Sequence, residues 1–536
     1  MRRREFLAGA AAASAIGPIR ARNVAPAFEA SWESLAAGWR APDWFRDAKF
    51  GIWAHWGPQC VPEAGDWYAR LMYLQGQPAY EHHLKHYGHP ADTGFLDVIG
   101  RWKAEAWDPE ALVDFYKENG ARYFVALANH HDNFDCYASS HQGWNSLRVG
   151  PKKDLIHGWK RAARQAGLRF GVSNHSAHAW HWYQPAYGYD PAGPRKGQRY
   201  DAFRLRTADG RGTFWSGLDP QDLYVGPSMV VPDGIDSQAA MNRWHDSHDG
   251  QWLETPPPGN PAFPARWLAR CNELVERYDP DLLYFDDTGL PLGVRGLQAT
   301  AHFYNRNLSR RGGRLEAVAT GKLLTDMQRR AIIEDVERGF SDRLRPEPWQ
   351  TDTCLGDWHY NRARFEQHSY VPAKAVVQRL CDVVAKNGNL LLSVPVRGDG
   401  TIDEDERRIV ADIGAWLRRN GEAIYGSRPW RTYGEGPTRP AAGMLNEGQA
   451  KPFTAADIRF TTRGGALYAI ALDTPSDRTL RIESLGGDRA GGVERVELLG
   501  AGHVAFRQER DALTVEGLRG AALGIPALRI GLSGTA

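Results

Sequence analysis

Two adjacent carboxylates, Asp286 and Asp287, close the short apolar run Leu282-Leu283-Tyr284-Phe285, which Pro280 bounds upstream and Thr288-Gly289 bounds downstream. Such a run reads as a buried strand. A helix-like stretch, Pro264 to Tyr278, leads into it with Trp267, Leu268, Cys271, Leu274 and Val275 at helical spacing. An acid at the C-terminal end of a barrel strand stands where catalytic side chains stand; an Asp there can also simply cap the next element. Imidazoles gather at equivalent places. His55 ends a strand expected over 49–55, His130-His131-Asp132 follow one over 122–128, and the cluster from His175 to Trp182 follows one over 168–174. Neighbours on a strand point to opposite faces, so His130 and His131 would chelate a metal together only across a bulge. Polar contacts to a hydroxylated ligand suit them better.

The elements that position these side chains alternate. Helices are expected over 108–119, stopped by Gly120, and over 153–167, where Leu155, Trp159, Ala162 and Ala163 form one stripe. Further on come a helix over 298–308, strands over 315–319 and 331–336, a helix over 372–386, a closing strand over 388–395 and a helix over 403–420. Repeated helix–strand units that discharge polar and aromatic residues at the strand end predict an α/β fold, a (β/α)8-like barrel rather than a doubly wound sheet. Residues 185–264, rich in Gly, Pro, Asp and aromatics, read as a partly ordered insertion over the strand ends. Residues 349–353 and 357–360 read as aromatic and polar loop. Beyond 430 the short strands and Gly-rich turns suggest a small β-sandwich. The expected organisation is a leader over 1–25, a barrel over 26–430 and a C-terminal sandwich over 431–536.

The 536 residues carry 66 basic and 64 acidic side chains with no block of like charge, which argues against nucleic acid as a partner. Twenty Trp suit stacking on sugar rings, and equally the filling of cores. The five Cys (Cys60, Cys136, Cys271, Cys354, Cys381) form neither a zinc pattern nor a disulfide framework. At the start, MRRREFLAGAAAASAIGPI joins Arg3-Arg4 to an apolar, Ala-rich stretch of signal-peptide length. This resembles the twin-arginine export pattern, and with no stretch long enough to span a bilayer it predicts an exported protein, periplasmic or extracellular. Export of an already folded chain fits one that does not need disulfides.

Taken in order, the strand ending AHWGP, the following DWY, HHDNF with GWNSLRVGPKKDL, PDLLYFDD, and KNGNLLLSVP with NGEAIYG resemble glycoside hydrolase family 29, the retaining α-L-fucosidases, over roughly residues 40–430. The resemblance implies a barrel followed by a β-sandwich, with Asp286 as nucleophile and no cofactor or metal. It implies exo-acting release of α-L-fucose from a fucosylated oligosaccharide or polysaccharide. It assigns substrate-binding roles to His55, Asp66, Trp67, His130, His131, His175 and Tyr284.

The chain departs from the family pattern in places. Asp66 stands where Glu is common, Asn174 or His175 where a Tyr is usual, Ser393 where Asn is common, and Lys322 is the substitute for an expected Arg. The second carboxyl that a double displacement needs is assigned to Glu337, which follows the strand over 331–336; Glu334 and Glu347 are the alternatives, and an ion pair with Arg338 is the competing role for Glu337. Other functions consistent with these residues are a glycosidase for a related sugar such as L-galactose, a non-catalytic carbohydrate-binding protein, and metal-dependent hydrolysis through His130-His131-Asp132 and the cluster from His175 to His181.

Overall fold

The computed structural model describes residues 27–533; the leader expected over 1–25 lies outside the described residues. Eight strands close into an all-parallel barrel in sequence order. They are β1 (Phe50–Ala54), β2 (Tyr123–Asn129), β3 (Arg169–Asn174), β4 (Leu282–Phe285), β5 (Val318–Gly321), β6 (Ile333–Asp335), β7 (Trp349–Cys354) and β8 (Gly388–Ser393). β8 pairs with β1, Phe50 opposite Leu390 and Trp53 opposite Ser393, so no strand edge is left open. Covering helices begin where the sequence offers a cap. Asp108 accepts from the Ala111 amide, Asp154 from the His157 amide, and Asp403 exchanges a capping box with Glu406.

Two expectations change. The strand expected over 315–319 is β5, shifted to Val318–Gly321. Residues 349–353, expected as loop, are β7. Its polar side chains were mistaken for solvent-facing ones, yet Gln350, Thr351, Asp352 and Thr353 are all buried. Two of them find partners on other barrel strands, Gln350 accepting from the Tyr123 hydroxyl at 2.9 Å and Asp352 Oδ2 from Tyr284 at 2.7 Å.

The insertion over 185–264 holds short helices at Asp201–Arg204, Pro220–Leu223 and Gln238–Ser247. Buried polar contacts pin it down. The Tyr73 and Tyr224 hydroxyls both donate to Asp201, at 2.8 and 2.5 Å, and Arg70 pairs with Asp249 at 2.6 Å. The C-terminal region has a six-stranded antiparallel sheet that begins at Arg428 and a three-stranded one. Phe460, Leu467, Leu513, Val515, Leu528 and Ile530 pack between them. All five cysteines are buried free thiols.

The barrel and the larger sheet share a buried ion cluster. Asp382, on the helix Ala373–Ala385, accepts from Lys386 at 2.7 Å and from sheet residue Arg459 at 2.7 Å, all three being buried. Lys386 and Arg459 together hold the Asp382 carboxyl below the usual range against the opposing effect of burial. Asp382→Ala would strand two cations away from water, which costs about 3–5 kcal/mol. Urea unfolding followed by fluorescence should show a loss of that size; a loss under about 1 kcal/mol would mean that water reaches the cluster.

Candidate active site

A pocket of about 370 Å³ opens at the C-terminal ends of the strands. Asp286, the residue after β4, lines it. His175 Nδ1 is 3.1 Å from Asp286 Oδ2 and His131 Nε2 is 3.6 Å away, while the Lys322 ammonium, just past β5, contacts Oδ1. Burial opposes ionisation of Asp286, but Lys322 and then His175 and His131 outweigh it and hold the carboxyl well below the ordinary range. The group is a permanent anion at neutral pH, as a nucleophile must be.

The same Lys322 nitrogen contacts Glu337 Oε2. Two oxygens bound to one nitrogen cannot stand further apart than about two charge-assisted hydrogen bonds, ~5.6 Å. Of the three acids considered, Glu337 alone lines the pocket. Glu334 is engaged by Arg329 and Arg345 and by the Leu324 amide, and Glu347 lies in a separate depression. Arg338 pairs with Glu447 rather than with Glu337.

Close to Asp286 in the chain, Tyr284 has its hydroxyl 2.7 Å from Asp352 Oδ2 and 3.1 Å from Asp335 Oδ2. One hydroxyl hydrogen cannot serve both, so one acid carries a proton. Burial and then Asp335 push Asp352 well above the carboxylate range, while burial lifts Asp335 to about 6 against the pull of Lys322. Tyr284 is thus buried with its hydroxyl engaged.

The histidines form a polar wall. His55, His130 and His359 stack edge-on with ring centroids 4.8–5.1 Å apart, and burial first, then the neighbouring imidazoles, push His55 and His130 well below the ordinary histidine range. Gln59 settles one tautomer. Its Oε1 accepts from the Ala69 amide, so its Nε2 donates to His130 Nδ1 at 2.9 Å, leaving His130 Nε2 as the protonated nitrogen. Both His55 nitrogens, His359 Nε2 and Asp352 Oδ1 are buried without a protein partner. Buried polar atoms left over in this way call for hydroxyl groups from a ligand.

Three trios could offer a metal their donor atoms within 4.8 Å: His55/His130/His359, His130/His131/His175 and His178/Glu254/Asp287. With its Nδ1 engaged by Gln59 and Nε2 protonated, His130 has no free lone pair, which makes the first two trios donors to hydroxyls rather than metal cages. In the third, burial and the neighbouring carboxyls raise Glu254 to about 7 and Asp287 to about 8, and His178 Nε2 lies 2.8 Å from Asp287 Oδ1.

Of the residues expected to bind substrate, His55, Trp67, His130, His131, His175 and Tyr284 line one pocket with Asp286 and Glu337. Asp66 does not. Its carboxylate accepts from the Trp358 and His359 amides at 3.1 and 2.7 Å, and so fixes the loop that brings those two rings to the site. Sequence reasoning missed His359, Asp335, Asp352, Trp252, Leu323, Met444 and Leu445; for Asp352 the alternation of Thr and Asp in β7 was an available signal, and for the last two there was none.

Asp287 keeps its proton up to about pH 8 when folded and loses it near pH ~3.9 when unfolded. The folded chain binds the extra proton in between, so this group subtracts stability as pH rises through that window. Melting temperatures of Asp287→Asn should gain on those of wild type from pH 5 to pH 8. A constant difference would show Asp287 ionised throughout.

A family model described as alpha-L-fucosidase matches residues 18–422. Tissue alpha-L-fucosidase of Rattus norvegicus is 25% identical over 459 residues, which cover 84% of this chain and 80% of that protein. Plasma alpha-L-fucosidase of Homo sapiens is 25% identical over 453 residues, 82% of this chain and 80% of that protein. The solved structure of Thermotoga maritima alpha-fucosidase in complex with fucose superposes with a TM-score of 0.65 at 24% identity, covering 94% of this chain and all of that one.

Proposed function

Because the chain belongs to the alpha-L-fucosidase family, we propose that it is an exo-acting glycosidase that releases α-L-fucose from fucosylated glycans by a retaining double displacement, with Asp286 as nucleophile and Glu337 as acid/base. The observation that carries this reading is the shared contact of both carboxyls with Lys322. It limits their nearest oxygens to ~5.6 Å, close to the ~5–5.5 Å of retaining enzymes and short of the ~6.5–9.5 Å that would admit a water between carboxyl and sugar in an inverting enzyme.

In the first step Asp286 attacks the anomeric carbon while Glu337 gives its proton to the glycosidic oxygen, which leaves as the free hydroxyl of the aglycone. In the second, Glu337, now ionised, takes a proton from water, whose oxygen displaces Asp286 and frees the sugar. Lys322 assists the nucleophile by keeping it ionised. For the acid, the ammonium has to give way to substrate, since the anomeric carbon must come between the two carboxyls. His55 and His359, with ring nitrogens that lack a protein partner, and His130, with its Nε2–H, are placed to bind sugar hydroxyls, and Trp67 offers a ring face at the entrance.

The two carboxyl roles are separable by azide. Asp286→Gly should lose kcat/KM on 4-nitrophenyl α-L-fucoside by on the order of 10³-fold or more, and azide should restore turnover to the inverted β-fucosyl azide. Glu337→Ala should spare this good leaving group relative to a fucosyl disaccharide, and azide should then trap the glycosyl-enzyme as the retained α-fucosyl azide. Near wild-type turnover of the aryl fucoside by Asp286→Gly, or of the fucosyl disaccharide by Glu337→Ala, would remove that assignment.

Arg3-Arg4 and the Ala-rich stretch behind them support export as a folded protein. Replacing both arginines by lysine should leave the activity in the cytoplasmic fraction of a bacterial host, and unaltered export would remove this part of the reading.

A further inference from the structure

Among the described residues, few large apolar side chains are exposed, and four of them meet at one place. Trp67 (39% exposed), Trp252 (42%), Leu323 (63%) and Leu445 (63%) all line the mouth of the catalytic pocket. Exposed apolar groups concentrated at a pocket mark a surface kept for binding. They stand on two sides. Trp67 and Trp252 pack edge-on against His131, with centroids 6.4 and 5.4 Å away. Leu323, next to Lys322, and Leu445 flank Glu337.

Leu445 comes from beyond the barrel, on the connection between the first two strands of the C-terminal sheet, Arg428–Glu435 and Ile458–Arg463. That connection runs antiparallel to residues 337–340. Gly443 and Phe340 exchange backbone hydrogen bonds at 3.1 and 3.3 Å, the Leu445 amide donates to the Glu337 carbonyl at 2.8 Å, and the Glu447 amide to that of Arg338 at 3.0 Å. The approach is so close that a Cβ on Gly339 would fall 1.9 Å from the Gly443 carbonyl oxygen. Glu447 locks it, accepting from Arg338 at 2.6 Å, from Thr353 at 2.8 Å and from Arg379. Met444 packs on Val336, Trp349 and Val383. An apolar pair held this firmly beside Glu337 is a built surface.

We infer that Leu323, Met444 and Leu445 form the floor of the subsite for the leaving group, and that this subsite takes an aglycone presenting an apolar face, the C–H face of a pyranose or an aryl ring. The inference rests on the fucosidase reading with Glu337 as acid/base. An acid hands its proton to the glycosidic oxygen, so the aglycone must lie on Glu337's side of the pocket, over these three residues. The charged groups of the pocket are paired with one another deeper in, and the neutral polar group at the mouth is Thr288. A site with so few hydrogen-bonding groups reads shape and apolar area, tolerates several linkages, and disfavours acidic aglycones.

The test compares Leu323→Ala, Leu445→Ala and the double variant on a fucosyl disaccharide and an aryl fucoside, with inhibition by free fucose as the control. Free fucose fills the sugar subsite alone. Both leucines are exposed, so the variants keep the fold, and circular dichroism verifies it. Each single change should lower kcat/KM by roughly tenfold, the double change by more, with the fucose Ki within twofold of wild type and Leu445→Met close to wild type. A fall on one substrate alone names that aglycone as the one seated there. Unchanged kcat/KM in the double variant would overturn the inference, as would an equal rise in fucose Ki, which would place the leucines around the fucosyl ring. A wild-type protein inert on every fucoside would instead sink the underlying reading, before any variant is made.

Discussion

Asp286, Glu337 and Asp352 line one pocket and Asp335 is buried next to Asp352, where water screens them poorly, and the Lys322 ammonium makes that crowding tolerable. Burial alone would strip Lys322 of its proton, but Asp286 and Glu337 outweigh it and raise its affinity for the proton well above the ordinary lysine value. One cation cannot balance four anions. The deficit is met by protons on the Tyr284–Asp335–Asp352 cluster, the part furthest from solvent, which leaves Asp286 ionised. The ionisation of Asp286 is therefore a property of four successive strands, β4 to β7.

Those strands explain which parts of the chain were legible. Apolar runs such as Tyr123–Ala128 and Leu390–Leu392 announce strands because both their faces are covered. β7 does not, because its inward side chains are polar and find partners on other strands: Gln350 with Tyr123 and Asp335, Asp352 with Tyr284. Local pattern cannot tell a polar residue buried with a distant partner from one facing water. Asp286 and the histidines were legible because strand ends are fixed by sequence-local stops.

Asp66 shows where inference by position stops short. Expected to bind substrate, it instead spends its carboxylate on two backbone amides of the loop that carries Trp358 and His359. A side chain one methylene longer would place that loop differently. Gln59 acts at a similar remove, outside the pocket lining itself while deciding which His130 nitrogen carries the hydrogen. The chemistry of the wall is set by residues behind it, and these leave no mark in residue type or spacing.

The connection bearing Met444 and Leu445 also sets a clock on the enzyme's birth. Residues leave the ribosome in order and domains fold as units from the N-terminal end, so the barrel strands, the last ending at Ser393, can close while the segment beside Glu337 is still being made. Until that segment emerges and docks, Glu337 and its loop lack the backbone pairing that fixes them. The nascent barrel is a folded body with an unfinished mouth, and full activity arrives only near the end of synthesis.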